Sequence, residues 1–265
     1  MRLRWLALYP LAFAVIFFGV ARSLGTEDAV ASFVVGQRLL VRVLALAGCV
    51  LAASAFDRGD HLRRAWSWMA WSTALLLLRD PLRLALEPIQ DSTSAAAWLL
   101  DGLALIGNLA LVIGVWQLAR SWRMAAMTQP GNSKKALALT LGVAVLALIV
   151  AAPAAATAFR DLLGGDSRAS TTLASALADI VALCLIGPLL LTAIELRGGL
   201  FSWPWGLITA CRVSWLFYDA AAALGLTLMP GVPLYELFRG LALNLLFAAG
   251  VAQAMVVRAV RRAAA

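Results

Sequence analysis

Apolar residues along this chain come in eight blocks of about twenty, the length a helix needs to cross a bilayer. Short polar or basic segments separate them. The pattern predicts helices at about 5–21, 33–55, 65–87, 96–119, 136–158, 171–196, 205–228 and 234–257. No ten-residue segments of alternating polarity occur, so a transmembrane β-barrel is not expected. The longest polar segment, RSWRMAAMTQPGNSKK, contains a Pro130-Gly131-Asn132-Ser133 turn signal and divides the chain into halves 1–130 and 131–265.

The halves echo one another. At one offset, Arg58, Gly59, Trp66 and Asp80 match Arg197, Gly198, Trp205 and Asp219. At an offset three residues shorter, NLALVIGVWQ from Asn108 is answered by NLLFAAGVAQ from Asn244. The expected fold is therefore an all-α integral membrane protein: eight transmembrane helices in two parallel four-helix repeats. An even number of spans per repeat sends both copies into the membrane the same way, related by a pseudo-twofold axis along the membrane normal. The Ala- and Gly-rich helix at 136–158 is expected inside the bundle, because small residues allow close helix approach. Trp5, Tyr9, Phe13 and Phe17 recur at every fourth position and face lipid or a neighbouring helix. Pro81 and Pro188 are expected to disturb their helices.

Composition strengthens the membrane reading: 63% of the 265 residues are hydrophobic, where soluble domains have nearer half. The net charge of +8 does not point to nucleic acid, because the basic residues sit at block ends. With both termini inside, thirteen basic residues fall in inner segments (Arg2, Arg4, Arg58, Arg63, Arg64, Arg120, Arg123, Lys134, Lys135, Arg197, Arg258, Arg261, Arg262) against three outside (Arg22, Arg160, Arg168). The positive-inside rule then places both termini in the cytoplasm. Arginine over lysine and abundant alanine point to a high-GC bacterium, hence its inner (plasma) membrane.

Several chemistries are set aside. Both lysines, Lys134 and Lys135, fall in a loop, so a retinal Schiff base is excluded. One histidine, His61, read as a solvated loop residue, excludes bis-histidine haem ligation. Cys49, Cys184 and Cys211 are too scattered for a metal knuckle or disulfide framework and read as packing residues. No Walker loop, zinc signature or dinucleotide motif occurs. No cofactor, metal or catalytic residue is expected. Tyr218-Asp219 resembles the tyrosine–aspartate pair of intramembrane aspartyl proteases, but that family's glycine-x-glycine-aspartate partner motif is absent.

The candidate site consists of polar residues inside the spans: Arg38, Arg42, Arg79, Asp80, Arg83, Asp101, Asn108, Asp179, Arg212, Asp219, Glu236, Arg239 and Asn244. A charge in hydrocarbon costs at least about 2.5 kcal/mol, so these groups must pair, face water, or both. Nearly all fall in the outer half of their helices, with Arg212 deeper. Five basic residues (Arg38, Arg42, Arg79, Arg83, Arg239) balance five acidic ones (Asp80, Asp101, Asp179, Asp219, Glu236) in that half. Asp80 is expected to pair with Arg79 or Arg83, and Asp219 with Arg212 or Arg239. The helices at 5–21 and 136–158 carry no such charge and should lie outside the cluster. A neutral salt-bridge network would fix helix packing; an outward-facing polar cavity between the repeats would also bind and translocate a small polar or zwitterionic solute. The second function class is a membrane sensor or accessory subunit acting through a membrane protein partner. A lipid-modifying enzyme ranks third, because no nucleophile–base pair is visible.

Overall fold

The computed structural model describes residues 4–86, 95–125, 133–166, 169–196 and 199–264. Among these the chain is all-α apart from one small hairpin. The elements are α1 (Arg4–Ser23), α2 (Glu27–Ala55), α3 (His61–Leu86), α4 (Ala95–Ala125), α5 (Ser133–Leu163), α6 (Ala169–Cys184), α7 (Ile186–Glu195), α8 (Ser202–Ala223), β1 (Thr227–Met229), β2 (Val232–Pro233) and α9 (Leu234–Ala264).

Each apolar block is helical, with two departures from expectation. The sixth block is divided at Leu185 into α6 and α7. Pro188 explains the position: its ring clashes with the carbonyl four residues earlier, at Cys184, where α6 ends. Pro81, by contrast, sits inside α3 without ending it. The seventh block stops at Ala223 rather than 228. Gly225, at φ +61°, lets the chain reverse while Gly225 N–H donates to Ala222 O and Leu226 N–H to Ala221 O, a Schellman closure. The released residues form the antiparallel β1–β2 hairpin. Val232, fully buried, packs against Phe17, Ala21, Val30 and Val34 and seats the hairpin on α1 and α2. The linker around Pro130, and Arg197 and Gly198 of the proposed repeat, lie outside the described residues.

Helices α2, α3, α4, α6 with α7, α8 and α9 follow one another around a ring that closes where α9 meets α2. α1 packs outside the ring on α9, and α5 packs outside it on α6, α7 and α8. The Ala- and Gly-rich helix is therefore peripheral, not internal. The close approach there rests on Gly187 of α7, where a Cβ would lie 2.8 Å from Thr140 Cα of α5, whereas a Cβ on Gly142 of α5 meets nothing within 4 Å. The other face of α5 exposes Leu137, Leu141, Val145 and Ile149. Among the described residues, Asp57 at the end of α2 pairs with Arg261 near the end of α9 at 2.9 Å, and Tyr9 of α1 packs on Phe247. The start of α1, the α2–α3 corner and the end of α9 thus share one end of the bundle.

Four segments are long and apolar enough to cross a bilayer by length and composition: Glu27–Ala55, Ala95–Arg120, Ala169–Leu191 and Leu234–Ala263. α5, bent by 44° near Pro153, makes a fifth if its two parts count as one span. α1 adds a shorter apolar stretch, Leu8–Ser23. α3 and α8 fall outside this set because Arg79, Asp80 and Arg212, Asp219 lower their mean hydropathy. The packing agrees with a multi-pass membrane protein. Large apolar side chains such as Leu40, Val50, Trp71, Ile106 and Ile149 point outward, while Ala45, Ala52, Ala65, Ala242, Ala249 and Ala252 fill the interior. Water would not favour this inversion; lipid does.

The closest approach in the ring is between α2 and α9. A Cβ on Gly48 would lie 2.7 Å from Phe247 Cα, and one on Gly250 would collide with Gly48 O. Gly48→Leu or Gly250→Leu is therefore expected to force the helices apart and destabilise the fold by about 1–3 kcal/mol or more. Gly36→Ala, where a Cβ meets nothing within 4 Å, serves as the control and should leave the melting temperature in detergent unchanged or raise it.

Candidate functional site

The half of the bundle near the termini is closed by apolar packing: Cys49, Trp66, Met69, Leu118, Leu189, Ile208 and Cys211 are all almost fully buried there. The other half is held by charge. Glu236, in the first turn of α9 and 1% exposed, sits between two guanidinium groups. Arg38 of α2 reaches it at 2.8 Å, and Arg239, one turn on, at 3.0 Å. Arg239 also donates from Nη2 to the Tyr218 hydroxyl at 2.8 Å and lies over the Tyr218 and Tyr235 rings. One arginine thereby links α9 to α8.

Asp80 pairs across helices, with Arg42 of α2 at 2.7 Å, and not with its own-helix neighbours Arg79 or Arg83. The contact is a charge pair more than a directed hydrogen bond, because Arg42 Nε and Asp80 Oδ2 are poorly aligned as donor and acceptor. Arg79 donates from Nε to Leu100 O of α4 at 3.2 Å and lies within electrostatic reach of Asp101. Asp219 departs from expectation. Among the described residues no basic nitrogen lies within 4.0 Å of the Asp219 or Asp179 carboxylate. Arg212, 3% exposed, leaves its Nε without a hydrogen-bond partner.

These groups surround a cavity of about 230 Å³ at the centre of the ring. Every ring rod contributes: Arg42 from α2, Arg79 from α3, Asn108 from α4, Asp179 from α6, Arg212 and Asp219 from α8, and Arg239 from α9. A second pocket of about 230 Å³, between α2, α3 and α9, holds Arg38, Asp80, Arg83 and Glu236, and shares Arg239 with the first. A third space, about 400 Å³ between α5, α6 and α8, is walled by Pro153, Thr157 and small residues and shares Asp179 and Asp219 with the first. Arg239 and the two aspartates thus stand at the junctions of three adjoining spaces. Asp101 and Asn244 line none of these. Asn244 is fully buried and donates to Gly240 O of its own helix at 2.8 Å. As expected, α1 lines none of these charged spaces, whereas α5, expected outside the cluster, lines the third together with Asp179 and Asp219.

Four participants were not among the sequence candidates. Ser175 accepts a short hydrogen bond from Asn108 Nδ2 and ties α4 to α6. Tyr218 and Tyr235 stack under Arg239, and Trp215 lines the central cavity. The tyrosines immediately precede Asp219 and Glu236, an adjacency that could have marked them. Nothing local distinguishes Ser175. His61 is not a solvated loop residue: it opens α3, and its Nε2–H donates to Gln117 O of α4 at 2.9 Å. No group of three or more His, Cys, Asp or Glu able to hold a metal occurs among the described residues. No family model, curated protein or solved structure matches the chain.

The Arg42–Asp80 pair has side chains about nine-tenths buried, 9% and 11% exposed. Asp80→Asn or Arg42→Gln strands the remaining charge, so each should cost about 3–5 kcal/mol in thermal unfolding in detergent. The double variant should recover a substantial part of that loss. Asp219→Asn, which breaks no ion pair among the described residues, should cost far less.

Proposed function

We propose that this chain binds and translocates a small polar or zwitterionic solute, with the central charged cavity as the binding site. The observation that carries the reading is the cavity's composition. It is lined from all six rods of the ring, holds two carboxylates with no basic nitrogen within 4.0 Å among the described residues and a buried guanidinium nitrogen without a hydrogen-bond partner, and its volume of about 230 Å³ suits a small solute. Ionisable groups kept in a membrane interior at such cost mark solute or ion pathways. The adjoining spaces beyond Arg239 and beyond the two aspartates supply routes of approach.

In this reading the chain spans a bacterial inner membrane eight times, with both termini cytoplasmic and the charged half facing outward. Residues 1–130 and 131–265 are parallel repeats, and the cavity lies between them. The ring order supports the repeat. Advancing three rods carries α2, α3 and α4 onto α6–α7, α8 and α9, and the neighbour relations are preserved. The departure is peripheral, since α1 packs on α9 whereas α5 packs on α6 to α8.

Two measurements test the reading. Reporter fusions at Pro130 and at the C-terminus should both report the cytoplasm; an outside signal at either sinks the eight-span topology. Uptake into proteoliposomes should be abolished by Arg212→Gln without loss of folded protein. Solute binding with no transport would instead favour a sensor working through a membrane partner.

A further inference from the structure

The charges around the central cavity come from two sides, and the α6–α8 side carries both signs, since Arg212 of α8 lines it with the aspartates. Arg42, Arg79 and Arg239 come from the α2–α3–α9 side, and Asp179 and Asp219 from the α6–α8 side. The guanidinium groups on the first side are already engaged: Arg42 with Asp80, Arg239 with Glu236 and Tyr218, and Arg79 with the Leu100 carbonyl. The charged groups on α6 and α8 have no ion-pair partner within 4.0 Å among the described residues. Among the described residues, Asp179 and Asp219 have no basic nitrogen within 4.0 Å, and the Nε of Arg212, 97% buried, has no hydrogen-bond partner. Arg212 is buried and the aspartates are half-buried on the cavity wall, so a bound solute is what can complete their pairing.

Resting on the solute-binding reading above, we infer that the ligand is a small amino acid-like zwitterion, its ammonium group held between Asp179 and Asp219 and its carboxylate on Arg212. A bare anion would leave both aspartates unpaired and add a third negative charge beside them. A bare amine would satisfy the aspartates but leave the Arg212 donor empty. A neutral polar solute would satisfy neither sign. A molecule carrying one ammonium and one carboxylate answers both. Size agrees: about 230 Å³ is below the roughly 300 Å³ at which pockets for drug-sized ligands begin. Asn108 and Ser175, joined across α4 and α6, add neutral hydrogen-bonding groups to the same cavity.

The test is a binding panel on the full-length protein in nanodiscs at neutral pH, read by calorimetry. The probes are glycine, alanine, β-alanine and γ-aminobutyrate, with acetate, propionate and butyrate as amine-free acids and ethylamine and propylamine as acid-free amines. At least one amino acid should bind, with its amine-free and acid-free analogues at least tenfold weaker, since each lost charged hydrogen bond is worth about ten- to a hundredfold. Asp179→Asn and Asp219→Asn should weaken the amino acid at least about tenfold and leave the corresponding acid no weaker. Arg212→Gln should weaken both. If Arg212→Gln does not fold, Arg212→Lys, which keeps the charge but loses Nε, replaces it with the same expectation. An amine-free acid that binds as tightly as the amino acid, or an Asp219→Asn variant with unchanged affinity, overturns the zwitterion and leaves a solute cavity intact. No binding by any probe overturns both.

Discussion

A carboxylate buried in a membrane protein must find cationic partners, and Glu236 shows how far that need organises this chain. Its carboxylate is 1% exposed and is met by one arginine from α2 and one from its own helix. The Arg239 that completes the contact also reaches Tyr218 on α8. Three helices are thereby held at their ends remote from the termini. α9 is the natural centre of this arrangement: 72% of its apolar window is buried, against 28–39% for the other three candidate spans. It packs against α8 on one side, α2 on another and α1 on a third.

Packing and charge divide the bundle between them. Near the termini, glycine and alanine let the backbones of α2 and α9 touch, and a block of large apolar side chains fills the remaining space. In the other half, side chains as long as arginine cannot interdigitate that closely. They pair where geometry permits and leave a cavity where it does not. The cavity is thus a consequence of which residues occupy which half of each helix. Among the described residues, the Asp179 and Asp219 carboxylates and the buried Arg212 nitrogen are places on its wall where the protein's own pairing is incomplete.

Legibility in the sequence followed the range of each interaction. Helix positions were legible because a twenty-residue apolar block is a local property, and all eight blocks are helical. The break at Leu185 was foreshadowed by Pro188, whose effect reaches only four residues back. The early end of α8 was not anticipated, because an apolar run masked the Gly225 reversal. The charged cluster was legible as a set of residues, since intramembrane charge is conspicuous against alanine and leucine. Its pairings were not. Local spacing favoured Arg79 or Arg83 for Asp80, yet Arg42 on another helix is the partner. Local spacing likewise offered Arg212 to Asp219, and the two do not meet within 4.0 Å.

The sequence by itself determined the class of the protein, the rods and the list of groups too polar for lipid, because each depends on residues within one helix or on the free energy of transfer of single side chains. Only the tertiary structure decided that α5 lies outside the ring, that α9 meets α2, and that Ser175 and His61 tie helices together. Only the tertiary structure decided which charges cancel and which face a cavity. The reason is that a pairing within 4 Å depends on the rotation and depth of two rods at once. Those are set by the close contact of Gly48 with Gly250 and the other small-residue surfaces, whose partners no periodicity along a single helix identifies.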